Sequence, residues 1–166
     1  MKCAARLDSP IGEIVVVASV GALEGVRFVD EKVQEACAGA SGGLDGASRE
    51  VREAVAQLRA YFAGELREFD LELGAWGTEF QRRALGVVRE IPFGQTLTYC
   101  EVARRIGREG ASRAVGAANG RNPWAIVVPC HRVVGAGGRL TGYGGGTWRK
   151  EWLLGHEQGR GFRWDR

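Results

Sequence analysis

The residues best placed to do covalent chemistry surround Cys130, in the run Pro129-Cys130-His131-Arg132-Val133-Val134. A lone cysteine beside an apolar run is most often a small core hydrophobe. The neighbours of Cys130 argue for more than that. Thiolate rather than thiol is the nucleophile, and a nearby base or cation is what lowers a thiol's pKa. His131 offers the base and Arg132 the positive charge. The apolar run Ala125–Val128 reads as a buried strand leading into this segment. Adjacent strand residues face opposite ways, so His131 reaches Cys130 only through a bridging water or an irregular backbone. Glu157 stands at the end of the last predicted helix, where it can hold His131 in one tautomer. The plain alternative for Glu157 is a surface charge.

Composition bounds what else the chain can be. Its 166 residues, 45% apolar and 26% charged, fit a globular protein of one or two domains. No apolar run approaches a membrane span, and the start Met1-Lys2-Cys3-Ala4 lacks a secretion signal, so a cytoplasmic protein is expected. The cysteines at 3, 37, 100 and 130 show no Cys-x-x-Cys spacing, and the histidines are only His131 and His156. That combination predicts no metal and no disulfide framework. Cys100 reads as a packed core residue, His156 as structural or solvent-facing, and no spacing argument decides whether Cys3 and Cys37 pair. Residues 1–75 carry 8 Lys/Arg against 13 Asp/Glu, whereas residues 76–166 carry 15 against 7. A basic second half favours a polyanionic partner, nucleic acid above all. Arginine outnumbers lysine 20 to 3.

Two domains are expected, 1–75 and 76–166. In the first, Ala4–Leu7, Glu13–Ala18 and Leu23–Val29 read as strands separated by short turns, hence a small antiparallel sheet. Gly39–Ala47 reads as a loop. Ser48 then caps a helix whose apolar stripe is Val51, Val55, Leu58 and Phe62, with Gly64 as its stop. In the second, Thr78 and Gln81 make a capping box for a helix carrying Phe80, Ala84, Val87, Val88 and Ile91 and ending at Pro92. Thr98 and Glu101 make another, opening a short helix with Val102 and Ile106 inward and Gly107 as terminator. Ser112 is expected to cap a third helix, Arg113–Ala118, so that the pair outlines a helix-turn-helix. The small residues Ala114, Gly116, Ala117 and Ala118 let that helix approach a flat partner closely, with Arg113 at its leading end. Gly135–Gly146 is a glycine-rich loop that lets backbone amides approach a flat ligand. Thr147 is expected to cap the last helix, with Trp148, Trp152, Leu153 and His156 on its inner side.

Pro129-Cys130-His131-Arg132-Val133 resembles the reactive segment of the O6-alkylguanine-DNA alkyltransferases. Arg121-Asn122-Pro123 before it and Thr141-Gly142-Tyr143 and Leu153-Leu154-Gly155-His156-Glu157 after it extend the resemblance. Ile91-Pro92-Phe93-Gly94, Thr98-Tyr99 and Arg113-Ala114-Val115-Gly116 fall in the expected order between the ends. The resemblance implies an α+β fold: a ribonuclease-H-like N-terminal sheet with a helix, then a mostly helical DNA-binding domain. It implies irreversible transfer of the O6-alkyl group of guanine, and of O4-alkylthymine, from duplex DNA to Cys130, once per protein. His131 would take the thiol proton through a water, Glu157 would orient His131, and Asn122 would shape the turn. Tyr99 would hydrogen-bond the base and help rotate the phosphate. Arg113 would fill the gap left by the flipped base, with Ala114, Ala117 and Arg121 against the minor groove. Cys130, Val133, Tyr143, Gly144 and Gly145 would form the base pocket. No cofactor is implied, and a monomer is expected.

The sequence departs from some relatives in lacking N-terminal zinc ligands and in having Gly144 and Gly145 where others carry serine or a bulky aromatic. A roomier pocket follows, open to groups as large as benzyl. Two rivals stand beside this reading. A lesion-binding module without chemistry would lack the cysteine, which is present. A Cys–His hydrolase would turn over and would need an oxyanion hole that no motif supplies.

Overall fold

The computed structural model of the chain describes residues 2–30 and 44–160. It forms two compact units, Met1–Ala75 with Pro123–Val127, and Trp76–Asn122 with Val128–Arg166. Cys37 and most of the Gly39–Ala47 loop lie outside the described residues.

The first unit is built on the antiparallel meander β1 (Cys3–Ser9), β2 (Gly12–Ser19), β3 (Ala22–Phe28). In β1, Ala5 and Leu7 are buried while Arg6 and Asp8 are exposed, the period-two pattern of a strand with one covered face. Gly21, at φ 82°, makes the tight β2–β3 turn in a conformation that costs any other residue type. Helix α1 (Arg49–Phe62) starts at Ser48, whose side chain accepts from the Val51 N–H, and packs on the sheet through Val51, Ala54, Val55, Leu58 and Tyr61. Tyr61, not the expected Phe62, is the buried aromatic of the last turn. Helical periodicity from Val51 favours Phe62, and the tertiary neighbourhood overrides it: the Tyr61 ring packs against Phe69, centroids 5.5 Å apart.

The sheet continues past β3 by single parallel bridges, Leu23 to Leu73 and Val26 to Trp124. The Trp124 indole N–H donates to Leu23 O at 2.8 Å. Of Ala125–Val128, Ile126, Val127 and Val128 are buried as expected and Ala125 is half-buried, but the run is not a strand. The Val127 N–H turns back to Ala125 O at 2.8 Å, and Ile126 sits at φ 72°, so the segment coils instead of extending a ladder.

In the second unit, α2 (Glu79–Arg89) and α3 (Tyr99–Arg105) both begin with the expected reciprocal capping boxes. On α2 the buried residues are Ala84, Leu85 and Val88; Phe80 and Val87 are only half-buried, and Ile91 is buried just beyond the helix. Val102 and Ile106 point inward and Gly107 takes φ 71°, which ends α3. Helix α4 (Ser112–Gly120) follows and packs on both α2 and α3, a helix-turn-helix arrangement. Ser112 is not its cap. The first helical bond runs from Val115 N–H to Ala111 O, so Ser112 is already inside the first turn. The last helix, α5 (Thr147–Glu157), repeats this displacement, with Gly146 at φ 91° in the cap position expected for Thr147.

The two-residue strands β4 (Leu97–Thr98) and β5 (Val133–Val134) pair in parallel, fastening the start of α3 to the chain just past Cys130. A small antiparallel sheet with one helix, followed by a helical unit with a helix-turn-helix, is the expected α+β class. Among the described residues no helix is long and apolar enough to cross a membrane.

Candidate active site

Cys130 opens a single 3₁₀ turn, Cys130–Arg132, not a strand. That irregular backbone lets consecutive residues share one environment: Cys130, His131 and Arg132 are all buried. The turn is held from outside by two amides. Asn122 Nδ2 donates to Val128 O at 2.8 Å, and Asn119 Nδ2 donates to Cys130 O at 3.1 Å.

Glu157, at the end of α5, gathers the polar groups behind the turn. Its Oε1 lies 2.7 Å from His131 Nε2 and accepts from Arg132 Nη2 at 2.8 Å, while Oε2 accepts from Arg132 Nε at 2.9 Å. Arg132 Nη1 donates to Ile91 O at 2.6 Å. Burial alone would raise the Glu157 pKa, but the His131 and Arg132 hydrogen bonds and charges outweigh it and hold the carboxyl far below its usual range. Burial pushes the His131 pKa down; Glu157 opposes this, and the charges of Arg132 and Lys150 reinforce it. The pair is therefore a carboxylate and a neutral imidazole. An ionised carboxylate only accepts, so His131 carries its proton on Nε2 and keeps a bare lone pair on Nδ1. Nδ1 is buried with no hydrogen-bond partner among the described residues. The surface-charge alternative for Glu157 is excluded by this geometry.

For Cys130 the electrostatics correct the sequence reading. Burial raises the thiol pKa, and polar contacts from Asn122 and Tyr143, with the charge of Lys150, offset only part of it. Cys130 rests as a thiol, and forming the nucleophile requires a base at the moment of reaction.

A cavity of about 550 Å³ lies in the same unit, lined by Tyr99, Arg113, Asn119, Thr141, Tyr143 and Gly144, among others. Tyr99, the first residue of α3, packs its ring edge over Gly116 of α4, where a Cβ would sit 3.8 Å away. Arg113, Ala114, Ala117 and Arg121 are exposed, so α4 presents a surface of small residues with an arginine at its leading end. Of the expected base-pocket residues, Tyr143 and Gly144 line this cavity, whereas Cys130, Val133 and Gly145 do not. Val133 is fully buried in β5, and Gly145 O is taken by Arg149 Nη1 at 2.7 Å.

Two residues of this neighbourhood were not singled out from sequence. Lys150 is fully buried on α5, donating from Nζ to Thr141 O at 3.0 Å and to the Tyr99 hydroxyl at 3.5 Å. Its signal was available: Lys150 is the only lysine after residue 32 and stands seven residues, two helical turns, before Glu157. Asn119 had no such signal, because its partner is a backbone oxygen. The inner side of α5 is Lys150, Leu153, Leu154 and Glu157. Trp148, expected inward, is 41% exposed, and Trp152 is half-buried with its ring stacked on His156. Cys100, expected in the core, is exposed, and Cys3 is a free, half-buried thiol. Among the described residues no group of three or more His, Cys, Asp or Glu is arranged to hold a metal ion.

Comparison with known proteins bears on what this arrangement is. Residues 4–75 match the ribonuclease-like domain of 6-O-methylguanine DNA methyltransferase, and residues 79–159 match its DNA binding domain. A methylated-DNA–protein-cysteine methyltransferase of Mycolicibacterium paratuberculosis is 51% identical over 152 residues, covering 92% of this chain and 90% of that protein. The crystal structure of the Mycobacterium tuberculosis O6-methylguanine methyltransferase superposes with a TM-score of 0.86 at 46% identity, over 97% of this chain and 95% of that one. The Mycobacterium tuberculosis protein in complex with DNA gives 0.80 at 46% identity, over 93% and 92%. The chain belongs to the 6-O-methylguanine DNA methyltransferase family, a family of transferases.

Proposed function

We propose that this chain repairs alkylated DNA by moving the alkyl group from O6 of guanine, and from O4 of thymine, onto the sulfur of Cys130. The observation that carries this reading is the neutral His131, bonded through Nε2–H to a buried carboxylate, with an unpartnered Nδ1 one residue from a buried thiol.

The bonding changes balance as follows. His131 Nδ1, through one water, takes the proton of the Cys130 thiol, and Glu157 stabilises the imidazolium that results. The thiolate attacks the alkyl carbon, a C–S bond forms, and the C–O6 bond breaks with its electron pair passing to the base. Tyr99 donates a proton or hydrogen bond to the departing guanine, and Lys150, 3.5 Å from the Tyr99 oxygen, stabilises the charge left there. A thioether is a poor leaving group, so Cys130 is not regenerated and each molecule acts once.

A base stacked in a duplex cannot reach a buried thiol, so the damaged nucleotide is flipped into the cavity at a cost of a few kcal/mol. The exposed small face of α4 follows the minor groove, with Ala114, Ala117 and Arg121 against it. Arg113 fills the vacated stack. Residues 76–166 carry the DNA contacts and the chemistry, residues 1–75 form the other domain, and the protein works as a cytoplasmic monomer, needing no cofactor.

The experiment is mass spectrometry of the protein after mixing with duplex DNA containing O6-methylguanine. One added methyl on the Cys130 peptide, saturating at one per chain and absent in Cys130→Ala, is expected. Tight lesion binding without a mass change would overturn the reading in favour of a recognition protein, and repeated turnover would overturn it in favour of a hydrolase.

A further inference from the structure

We propose that Trp148 and Arg149, in the first turn of α5, are positioning residues: together they form a latch that holds the glycine-rich segment 141–146 in one place for the transfer step. The part played in transfer rests on the preceding reading that the damaged base enters beside this segment. The latch itself is a property of the free protein.

Segment 141–146 has little means of ordering itself. Four of its six residues are glycine, which loses more conformational freedom on ordering than any other residue. At Gly142 and Gly144 nothing lies within 4 Å of where a Cβ would stand. Yet Thr141, Gly142, Tyr143 and Gly144 form one wall of the cavity. The order comes from the first turn of α5. At one end of the segment Lys150 Nζ donates to Thr141 O at 3.0 Å. At the other, Arg149 Nη1 donates to Gly145 O at 2.7 Å. The Trp148 indole covers Gly146, its Cδ1 and Nε1 lying 3.1 and 3.2 Å from where a Cβ would stand. A side chain at 146 would meet both that indole and an unfavourable φ of 91°.

The two latch residues also hold each other. The Arg149 guanidinium lies 4.6 Å from the centre of the Trp148 ring. Consecutive helix residues point about 100° apart and do not normally face each other. Helical side chains lean toward the N-terminus, which here means onto the end of the glycine-rich segment, and both side chains converge there. A guanidinium suits the place because it is planar: its face stacks on the indole while its edge donates to Gly145 O. A lone exposed aromatic calls for no explanation. Trp148, at 41% exposure, is engaged at once by a cation and by the backbone it covers.

The test makes two measurements on the full chain. One is hydrogen exchange of the Gly146 amide, bonded to Tyr143 O at 2.8 Å, in the free protein. The other is single-turnover methyl transfer from duplex DNA containing O6-methylguanine. In Trp148→Ala and Arg149→Met the Gly146 amide is expected to exchange on the order of tenfold faster, while amides of residues 152–157 are unchanged. In Trp148→Ala the transfer rate constant at saturating duplex is expected to fall on the order of tenfold, with the half-saturating concentration within about twofold. Trp148→Phe, which keeps a ring for the guanidinium, is expected to return both readouts to within about threefold of wild type. Unchanged exchange at Gly146, or Trp148→Phe as impaired as Trp148→Ala, would overturn the latch. Faster exchange with an unchanged rate constant would overturn the positioning role, and so would a loss confined to the half-saturating concentration, which would make Trp148 a DNA contact instead. A wild-type protein that transfers nothing would overturn the proposed function, and the exchange result would still decide the latch.

Discussion

Replacing Glu157 by glutamine changes one oxygen to an amide and nothing in size, yet no orientation of the new side chain satisfies its surroundings. If the NH2 group takes the Oε2 position, it faces the Arg132 Nε–H, donor against donor. If it takes the Oε1 position, it faces Arg132 Nη2 and also donates to His131 Nε2. The His131 proton then moves to Nδ1, the lone pair faces Glu157→Gln instead of the thiol, and the base is lost. Removing one partner of a buried ion pair costs about 3–5 kcal/mol. For a chain of this length each kcal/mol shifts Tm by about 2–4 °C, so a fall of about 6–20 °C is expected in a fluorescence melt. Methyl transfer, measured below both melting transitions, is expected to drop by about 10²–10⁴-fold, the range for loss of a positioned base or its tautomer. A variant that melts early but transfers methyl within threefold of wild type would refute the base assignment. One that melts like wild type would refute the buried ion pair.

The same cluster sets the response to acid. The Glu157 pKa is depressed on folding, so its stabilisation is complete above the ordinary carboxylate range and is lost as pH falls below about 4.3 toward the folded value. The His131 pKa is also depressed, and the unfolded chain takes up a proton first as pH falls below about 6.5, again favouring unfolding. Both act in one direction, so Tm should decline from about pH 6.5 downward, and steepen below about 4.3; His131→Gln should flatten only the upper part. Because folded His131 remains neutral through pH 6.5, the transfer rate should hold there while stability already falls. Lys150→Met is expected to slow transfer on the order of 10²-fold by removing the charge beside the Tyr99 oxygen, the size of losing one preorganised group at a developing anion; a rate within threefold would show that Tyr99 acts unaided. Arg113→Ala, at an exposed position, should leave Tm within about 2 °C, yet cut the transfer rate from duplex DNA more than that from a free O6-methylguanine base. Gly144 has nothing within 4 Å of where a Cβ would stand, so O6-benzylguanine is expected to label Cys130 under conditions where methyl transfer works; no benzyl adduct would show the cavity to be closed to that group.

Which parts of this molecule could be read from its sequence follows from the range of the forces involved. The capping boxes at Thr78 and Thr98 were readable because each is satisfied within four residues of chain, by side chains whose identity names their partners. Ser112 and Thr147 are good caps by type alone, but the helices they were assigned to begin one residue earlier, where Ala111 and Gly146 supply the first carbonyl. Ala125–Val128 is as apolar as a core strand, and an apolar run reports burial without reporting backbone; the coil at Ile126 is set by a partner strand a hundred residues away.

Helix α5 shows the more general difficulty. A hydrophobic stripe through Trp148, Trp152 and Leu153 assigns its inner side by the rule that apolar residues face the core, and the rule holds at Leu153 but fails at both tryptophans. Lys150 and Glu157 go inward because each finds partners there, backbone oxygens and a hydroxyl for the ammonium, a guanidinium and an imidazole for the carboxylate. Burying charges is unfavourable until those partners are in place, and the partners come from residues 99, 131, 132 and 141. The inward face of the helix thus mixes Leu153 and Leu154 with two charged residues where a site has been built against it, so a charge turned inward marks the chemistry itself. By that argument Lys150, held by a carbonyl, a hydroxyl and an aromatic ring, belongs to the transfer machinery as much as Glu157 does, and its cost to the fold is the reason to expect that Lys150→Met stabilises the protein while slowing it.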